Sequence, residues 1–170
     1  MGSKDHQAKA GKETPGRCAV LTVTDSRTRD TDVSGKAAAD LFRQAGHTVV
    51  LHKIIPNNKR KLGAALVTAL RDADIVVTIG GTGISRKDLS VDVVRTLVHK
   101  ELPGFGELFR FLSAKDIGTA TILSRALLGV TKDGKIVCAL PGSEGAVRLA
   151  LDGILLKELK HLLWELRRYA

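Results

Sequence analysis

Apolar residues recur along this chain in two rhythms, and the switches between them mark out its elements. Cys18–Val23, His47–Ile55 and Asp74–Ile79 are short runs rich in Val, Ile and Leu, bounded by polar or glycine-rich turns. That is the pattern of strands buried in a parallel sheet. Between them apolar positions fall three and four residues apart, the spacing of one helix face. Ala38, Leu41, Phe42 and Ala45 mark a helix for which Ser34 is the expected N-cap and Gly46 the stop. Leu62, Ala65, Leu66, Ala69 and Leu70 mark a second helix over Asn58–Ala73. Ser90 with Asp92 opens a short helix through Val98, and Pro103-Gly104 breaks the chain. Phe105, Leu108, Phe109 and Leu112 then form another helical stripe. Ala126–Lys132 and Lys135–Leu140 flank Asp133-Gly134, a strong hairpin signal. A last helix over Ser143–Tyr169 carries Leu151, Leu155, Leu159, Leu162, Leu163 and Leu166 on one side. Trp164 lies on the other, either an ordinary exposed aromatic or a subunit contact.

Strand and helix alternating with short connections predict an α/β fold, a three-layer sandwich with a mostly parallel central sheet and one β-hairpin. Residues 1–16 are polar and aperiodic, so the expectation is a disordered N-terminal tail ahead of a single α/β domain at 17–170.

Composition narrows the class. The 170 residues are 44% hydrophobic with mean hydropathy near zero, which is globular, and no apolar run is long enough to span a membrane. The N-terminus lacks an apolar signal core, so the expected location is cytoplasmic. Cys18 and Cys138 sit inside predicted strands without metal-ligand spacing and read as buried, reduced thiols. Net charge is +9; residues 1–17 hold four Lys/Arg against two Asp/Glu, so the excess lies mostly in the folded body. With so few aromatics, and none in a basic cluster, this charge argues against nucleic acid and for anionic small molecules.

The candidate chemistry gathers where strands end. Ile75–Ile79 runs into Gly80-Gly81-Thr82-Gly83, with Arg86, Lys87 and Asp88 close behind. Glycines there let the backbone turn sharply and offer N–H groups to phosphate. The two cations neutralise phosphate charge, and Asp88 can hold a metal ion that bridges phosphate oxygens. Cys18–Val23 opens into Thr24-Asp25-Ser26-Arg27, and Lys135–Leu140 into Pro141-Gly142-Ser143-Glu144. In an open parallel sheet such carboxyl ends converge on one crevice.

The order of motifs carries a resemblance. Thr24-Asp25-Ser26, Asp32-Val33-Ser34-Gly35, Gly80-Gly81-Thr82-Gly83, Arg86-Lys87-Asp88, Pro103-Gly104-Phe105-Gly106-Glu107, Leu123-Ser124-Arg125 and Leu140-Pro141-Gly142-Ser143 follow one another over residues 17–167. This succession resembles the molybdenum cofactor biosynthesis proteins of the MoaB/MogA type. The resemblance implies a molybdopterin-binding-like fold, assembly into trimers or hexamers, and a downstream metal-insertion protein as a further partner. It implies adenylylation of molybdopterin by ATP with Mg2+, releasing pyrophosphate. Asp88 matches the family's functional carboxylate and is expected to organise magnesium. Ser124 matches the family's site serine, with Arg125 beside it. Asp25, Ser26 and Gly80, Gly81, Thr82, Gly83 are expected to bind molybdopterin or nucleotide. Glu107 and the turn Pro141, Gly142, Ser143 are expected to shape the pterin end. One position departs: members commonly carry an Asp after the Pro that ends the second strand, implicated in catalysis, and here it is Asn57. An amide lacks the negative charge magnesium favours. The alternative is therefore a non-catalytic molybdopterin-binding protein of the same fold. Lys87 and Ser90 also replace the usual Arg and Thr.

Overall fold

Every residue of Ile75–Ile79 and Ile136–Leu140 is buried, as in strands covered on both faces, and these runs form the middle of the sheet. The computed structural model describes residues 15–168. Its elements in chain order are Arg17–Val23 (β1), Val33–Gln44 (α1), Thr48–Ile55 (β2), Lys59–Asp72 (α2), Ile75–Ile79 (β3), Ser90–Arg95 (α3) and Lys100–Glu101 (β4). Pro103–Ile117 (α4), a 3-10 segment at Gly118–Leu123, Leu127–Val130 (β5) and Ile136–Leu140 (β6) follow. Glu144–Ala150 (α5), a π-helical turn at Leu151–Leu155 and Leu156–Arg167 (α6) end it. The strands lie in the order β2-β1-β3-β6-β5-β4. The first four are mutually parallel, and β5 and β4 add antiparallel pairings.

Alternate residues of the strands feed two cores. Val20, Val77 and Cys138 meet Phe42 of α1, Phe109 of α4 and Leu151, Leu155 and Leu159 of the C-terminal helices. Leu21, Val76 and Val137 meet Leu62 and Leu66 of α2 and Val94 of α3 on the other face. This is the expected three-layer sandwich with its mostly parallel sheet and hairpin. Both cysteines are buried and free. Burial, aided by the charge of Asp74, pushes the Cys18 thiol up to about 12, and burial pushes Cys138 up further.

Several local expectations are corrected. Ser34 is not the N-cap of α1; Asp32 is, its carboxylate accepting from the Gly35 N–H at 2.9 Å, and Ser34 is buried inside the first turn. The expected strand at His47 starts at Thr48, because the His47 N–H caps α1 through the Phe42 carbonyl. Pro103 starts α4 rather than breaking the chain, since its missing N–H costs nothing in a first helical turn. α3 ends at Arg95, and the two-residue strand β4 was too short to leave a periodic signal. Trp164 is half-buried, with the Arg168 guanidinium 4.8 Å from its ring centroid. Gly16, assigned to the tail, is buried and donates its N–H to His47 Nδ1 at 3.0 Å. The rest of the expected tail, residues 1–14, and the helix end at Tyr169 lie outside the described residues. Among the described residues no helix is long and apolar enough to cross a membrane.

Candidate functional site

Three parallel strands stop level with one another. Thr22 of β1 pairs with Ile79 of β3, and Ile79 with Leu140 of β6, so their exit loops start side by side. The Gly80 N–H donates to the Leu140 carbonyl at 2.9 Å and carries the ladder into the loop. Gly80 has φ +97°, and a Cβ on it would stand 2.5 Å from the Val23 carbonyl oxygen. Conformation and room both demand glycine here. A Cβ on Gly142 would lie 3.3 Å from the Gly80 Cα, so the β3 and β6 exits touch backbone to backbone. Gly81 is also at positive φ, +64°, and its carbonyl accepts from the Ser90 N–H at 2.9 Å. Among the described residues no protein acceptor engages the amide N–H of Gly81, Thr82 or Gly83. A row of unengaged N–H groups at a strand end is a ready anion cradle.

Carboxylates and a cation border this loop. The Asn57 N–H, at the exit of β2, donates to Asp25 Oδ1 at 2.8 Å, and its amide side chain lies beside the same carboxylate. These contacts, the backbone bond foremost, with Lys87 Nζ at 3.9 Å from Oδ2, hold the Asp25 carboxyl below its ordinary range. A Cβ on Gly81 would come within 3.5 Å of Asn57 Oδ1, which places that amide against the glycine loop. Asp88 Oδ2 accepts from the Ser85 N–H at 2.9 Å. A Cβ on Gly83 would lie 2.7 Å from the same oxygen, so only glycine admits this approach. Among the described residues no three His, Cys, Asp or Glu side chains group closely enough to hold a metal ion. A magnesium ion here would be held by one carboxylate and by the substrate's own phosphate oxygens. That hard, oxygen-only set fits magnesium, which keeps few protein ligands.

Arg125 fastens the loop from afar. Its Nε donates to the Thr82 carbonyl at 3.2 Å, Nη2 to the Asp88 carbonyl at 2.8 Å, and Nη1 to Asp92 Oδ1 at 3.0 Å. It also forms the wall between two cavities. One, of about 380 Å³, is bordered by Ser85, Arg86, Asp88 and Asp92. The other, of about 300 Å³, is bordered by Arg95, Glu101, Glu107, Arg110 and Ser124. Ser124 Oγ is buried and, among the described residues, has no hydrogen-bond partner. An orphaned buried hydroxyl is costly unless something else binds it, which makes it the most pointed group of that cavity.

The sequence-predicted residues thus fall into two groups. Asp25, Asn57, Gly80–Gly83 and Asp88 surround the β3 exit. Ser26 and Gly142 line a neighbouring cavity with Gly80, Pro141 precedes Gly142, and Ser143 caps α5 by accepting from the Ala146 N–H at 3.3 Å. Glu107 and Ser124 line the second group's cavity, and Arg125 joins the two. Glu107 and the Pro141–Ser143 turn do not share a pocket. Arg95 and Arg110 were not singled out from sequence, and Asp92 and Arg27 were named only at a helix start and in the β1 exit. Only the approach of segments tens of residues apart gives them a place.

Comparison with known proteins agrees with this fold. A family described as "Probable molybdopterin binding domain" matches residues 19–161. The chain is 43% identical to Molybdenum cofactor biosynthesis protein B of Bacillus anthracis over 171 aligned positions, 99% of each chain. A crystal structure of Molybdenum cofactor biosynthesis protein B superposes with TM-score 0.86 at 41% identity, covering 91% of this chain and 98% of that one. The tungsten cofactor synthesizing protein MoaB from Pyrococcus furiosus superposes with TM-score 0.83 at 36% identity, covering 91% and 99%.

Proposed function

The chain belongs to the MoaB/MogA family of molybdenum cofactor biosynthesis proteins, and on that footing we propose that it is a molybdopterin adenylyltransferase. In this reading the terminal phosphate of molybdopterin attacks the α-phosphate of ATP, and pyrophosphate leaves. Two polyanions must be brought together, so catalysis is mainly positioning and charge neutralisation. The observation that carries the reading is the β3 exit, where the N–H groups of Gly81, Thr82 and Gly83 have no protein acceptor and Lys87 and Asp88 flank them.

Each group has a task. The free amides hold phosphate oxygens as charge shifts toward the leaving group. Lys87 adds positive charge, and Arg125 keeps the loop in place through its Thr82 and Asp88 bonds. Asp88 is the residue that would hold magnesium, which when bound neutralises charge between the reacting phosphates. The Ser124 hydroxyl and Glu107 face the second cavity and would receive polar atoms of the pterin.

A specific observation favours a second reading. Asn57 lies against Asp25 with a neutral amide side chain, so this pair carries one negative charge rather than two. If the reaction needs the second, the protein is a non-catalytic molybdopterin-binding protein. Purified protein with molybdopterin, ATP and magnesium, followed for adenylylated product, separates the two. Turnover abolished by Asp88→Ala supports the enzyme; tight molybdopterin binding without turnover, restored by Asn57→Asp, supports the binder.

Leu108, Phe111, Ile117, Ile122 and Leu123 are exposed along α4 and the 3-10 segment. So apolar a surface is costly in water, and we assign it to homo-oligomer contact, as a trimer or hexamer. Phe111→Lys is expected to lower the solution mass measured by light scattering toward that of one chain. A metal-insertion protein is the partner expected to take the product onward.

A further inference from the structure

Arg27 has no part in the reading above, yet its guanidinium is anchored beside the crevice by Ser34 and Asp32. It closes the β1 exit, where Thr24 Oγ1 accepts from the N–H groups of Ser26 at 3.2 Å and Arg27 at 3.3 Å. Its Nη1 donates to Ser34 Oγ at 2.9 Å and lies 4.0 Å from Asp32 Oδ1. The Ser34 hydroxyl donates onward to the Gly142 carbonyl at 2.8 Å. Asp32 is wholly buried and fully engaged: Oδ2 takes the Thr22 hydroxyl at 2.7 Å and His52 Nε2 at 2.9 Å, and Oδ1 takes the Gly35 N–H. A fixed negative charge therefore stands behind Arg27, and a serine ties its guanidinium to the β6 exit.

What Arg27 faces is open. With Thr24, Ser26, Gly80 and Gly142 it borders a cavity of about 240 Å³ between the exits of β1, β3 and β6. Two of those neighbours have no side chain, and they touch backbone to backbone. Among the described residues the Nε and Nη2 groups of Arg27 make no hydrogen bond. A guanidinium anchored through one nitrogen keeps a planar edge that matches two oxygens of a phosphate. A merely structural arginine would be expected to spend more of its donors on protein.

We propose that Arg27, held by Ser34 and Asp32, is a phosphate-binding residue of the β1–β6 cavity, a second anion subsite beside the Gly80–Gly83 loop. This rests on the adenylyltransferase reading for its ligand: the phosphate is either the diphosphate end of the nucleotide or the phosphoester of the pterin. Ser34 is a positioning residue that acts through Arg27.

The test is calorimetric binding of inorganic pyrophosphate, ATP with magnesium, and molybdopterin to the native chain, Arg27→Gln, Arg27→Lys, Ser34→Ala and the remote control Arg71→Gln. Arg27→Gln is expected to weaken at least one phosphate ligand about tenfold or more, as loss of a bidentate charged contact should. Loss confined to pyrophosphate and ATP assigns the subsite to the nucleotide; loss confined to molybdopterin assigns it to the pterin. Arg27→Lys should regain part of the loss, and Ser34→Ala should lose about threefold with its charge intact. Arg71→Gln should match the native chain. If Arg27→Gln lowers the melting temperature but binds all three ligands as the native chain does, Arg27 is a strut and the proposal falls. Should that variant fail to fold, native-like binding by both Arg27→Lys and Ser34→Ala overturns it equally. Native-chain turnover with Arg27-independent binding sinks this subsite alone. Arg27-dependent pyrophosphate binding without turnover sinks the enzyme reading and leaves the subsite standing.

Discussion

The parallel half of the sheet, β2-β1-β3-β6, and the antiparallel half, β6-β5-β4, hold their candidate groups by different means. In the parallel half the groups come from strand exits: Asp25 from β1, Asn57 from β2, Gly80–Gly83 from β3 and Gly142 from β6. Their positions follow from ladder register and from backbone contacts such as Gly142 against Gly80. In the antiparallel half, Ser124 and Arg125 come from the segment before β5, and Glu107 from α4. There Arg125 reaches across the molecule with its side chain, to Thr82, 43 residues away. Backbone placement is rigid and suits the reacting phosphates. Side-chain placement is adaptable and suits the part of a ligand that must be told from others. The crossing point is Arg125, which lets the second half control the first.

The sharpest way to break this division is Asp88→Ala. If the parallel half carries the chemistry, kcat should fall about a hundredfold or more, the scale on which charge-stabilising groups act. The melting temperature should hardly move, because among the described residues the Asp88 carboxylate bonds only a local N–H. Retention of more than a tenth of native turnover would move the reacting centre elsewhere.

Arg125→Ala tests the link between the halves. We expect kcat/KM to fall about tenfold, with kcat falling too, since a displaced loop misplaces reacting atoms. Arg125→Lys should recover little, because three nitrogens of one planar group are in use. A change in KM alone would mean that Arg125 only lines the second cavity.

The two halves also differed in how far sequence could read them. The Gly80–Gly83 loop was legible because two other strand exits converge with it and because of its place in the order of motifs, and two of those glycines take positive φ. Asn58 was read as the first residue of the second helix and proves to be its N-cap, its side chain accepting from the Lys61 N–H. Ser34 was misread because a hydroxyl near a helix start can cap or bridge. What decides is the Gly142 carbonyl, 108 residues away. The Arg125–Asp92 pair, 33 residues apart, leaves no periodic or local trace. The family resemblance supplied Ser124, but only the structure shows that its hydroxyl is buried with no partner among the described residues. Backbone-placed groups declare themselves in sequence; groups placed by long side chains do not.

Gly80→Ala asks how rigid the parallel half is. Its φ of +97° and the 2.5 Å approach to the Val23 carbonyl leave no room for a methyl group. Strain at such a position costs about 1–3 kcal/mol. That corresponds to a melting-temperature loss of roughly 3–10 °C for a domain of this size. Gly118→Ala, also at positive φ but with nothing near its Cβ, should cost less. Equal losses would show that the crowding at Gly80 contributes nothing.

The smallest effect concerns acid. Burial alone would push the Asp32 carboxyl up, but hydrogen bonds from Thr22, the Gly35 N–H and His52 outweigh it and leave the group below its ordinary range. A carboxyl depressed in the folded state adds stability that is full above its unfolded value, near pH 4, and is lost as pH falls through the folded one. Melting should therefore weaken between about pH 5 and 3. Asp32→Asn should lower stability at pH 7 by about 1–2 kcal/mol, between the scales of a neutral and a charged hydrogen bond, and flatten that acid slope. Because Asp32 ties β1 and β2 to the start of α1, hydrogen exchange on acidification should open the Gly35 amide before those of Leu128 and Val130 in β5. If β5 opens first, the acid-sensitive joint is not in the parallel half, and the network behind Arg27 is not what holds its strand exits together.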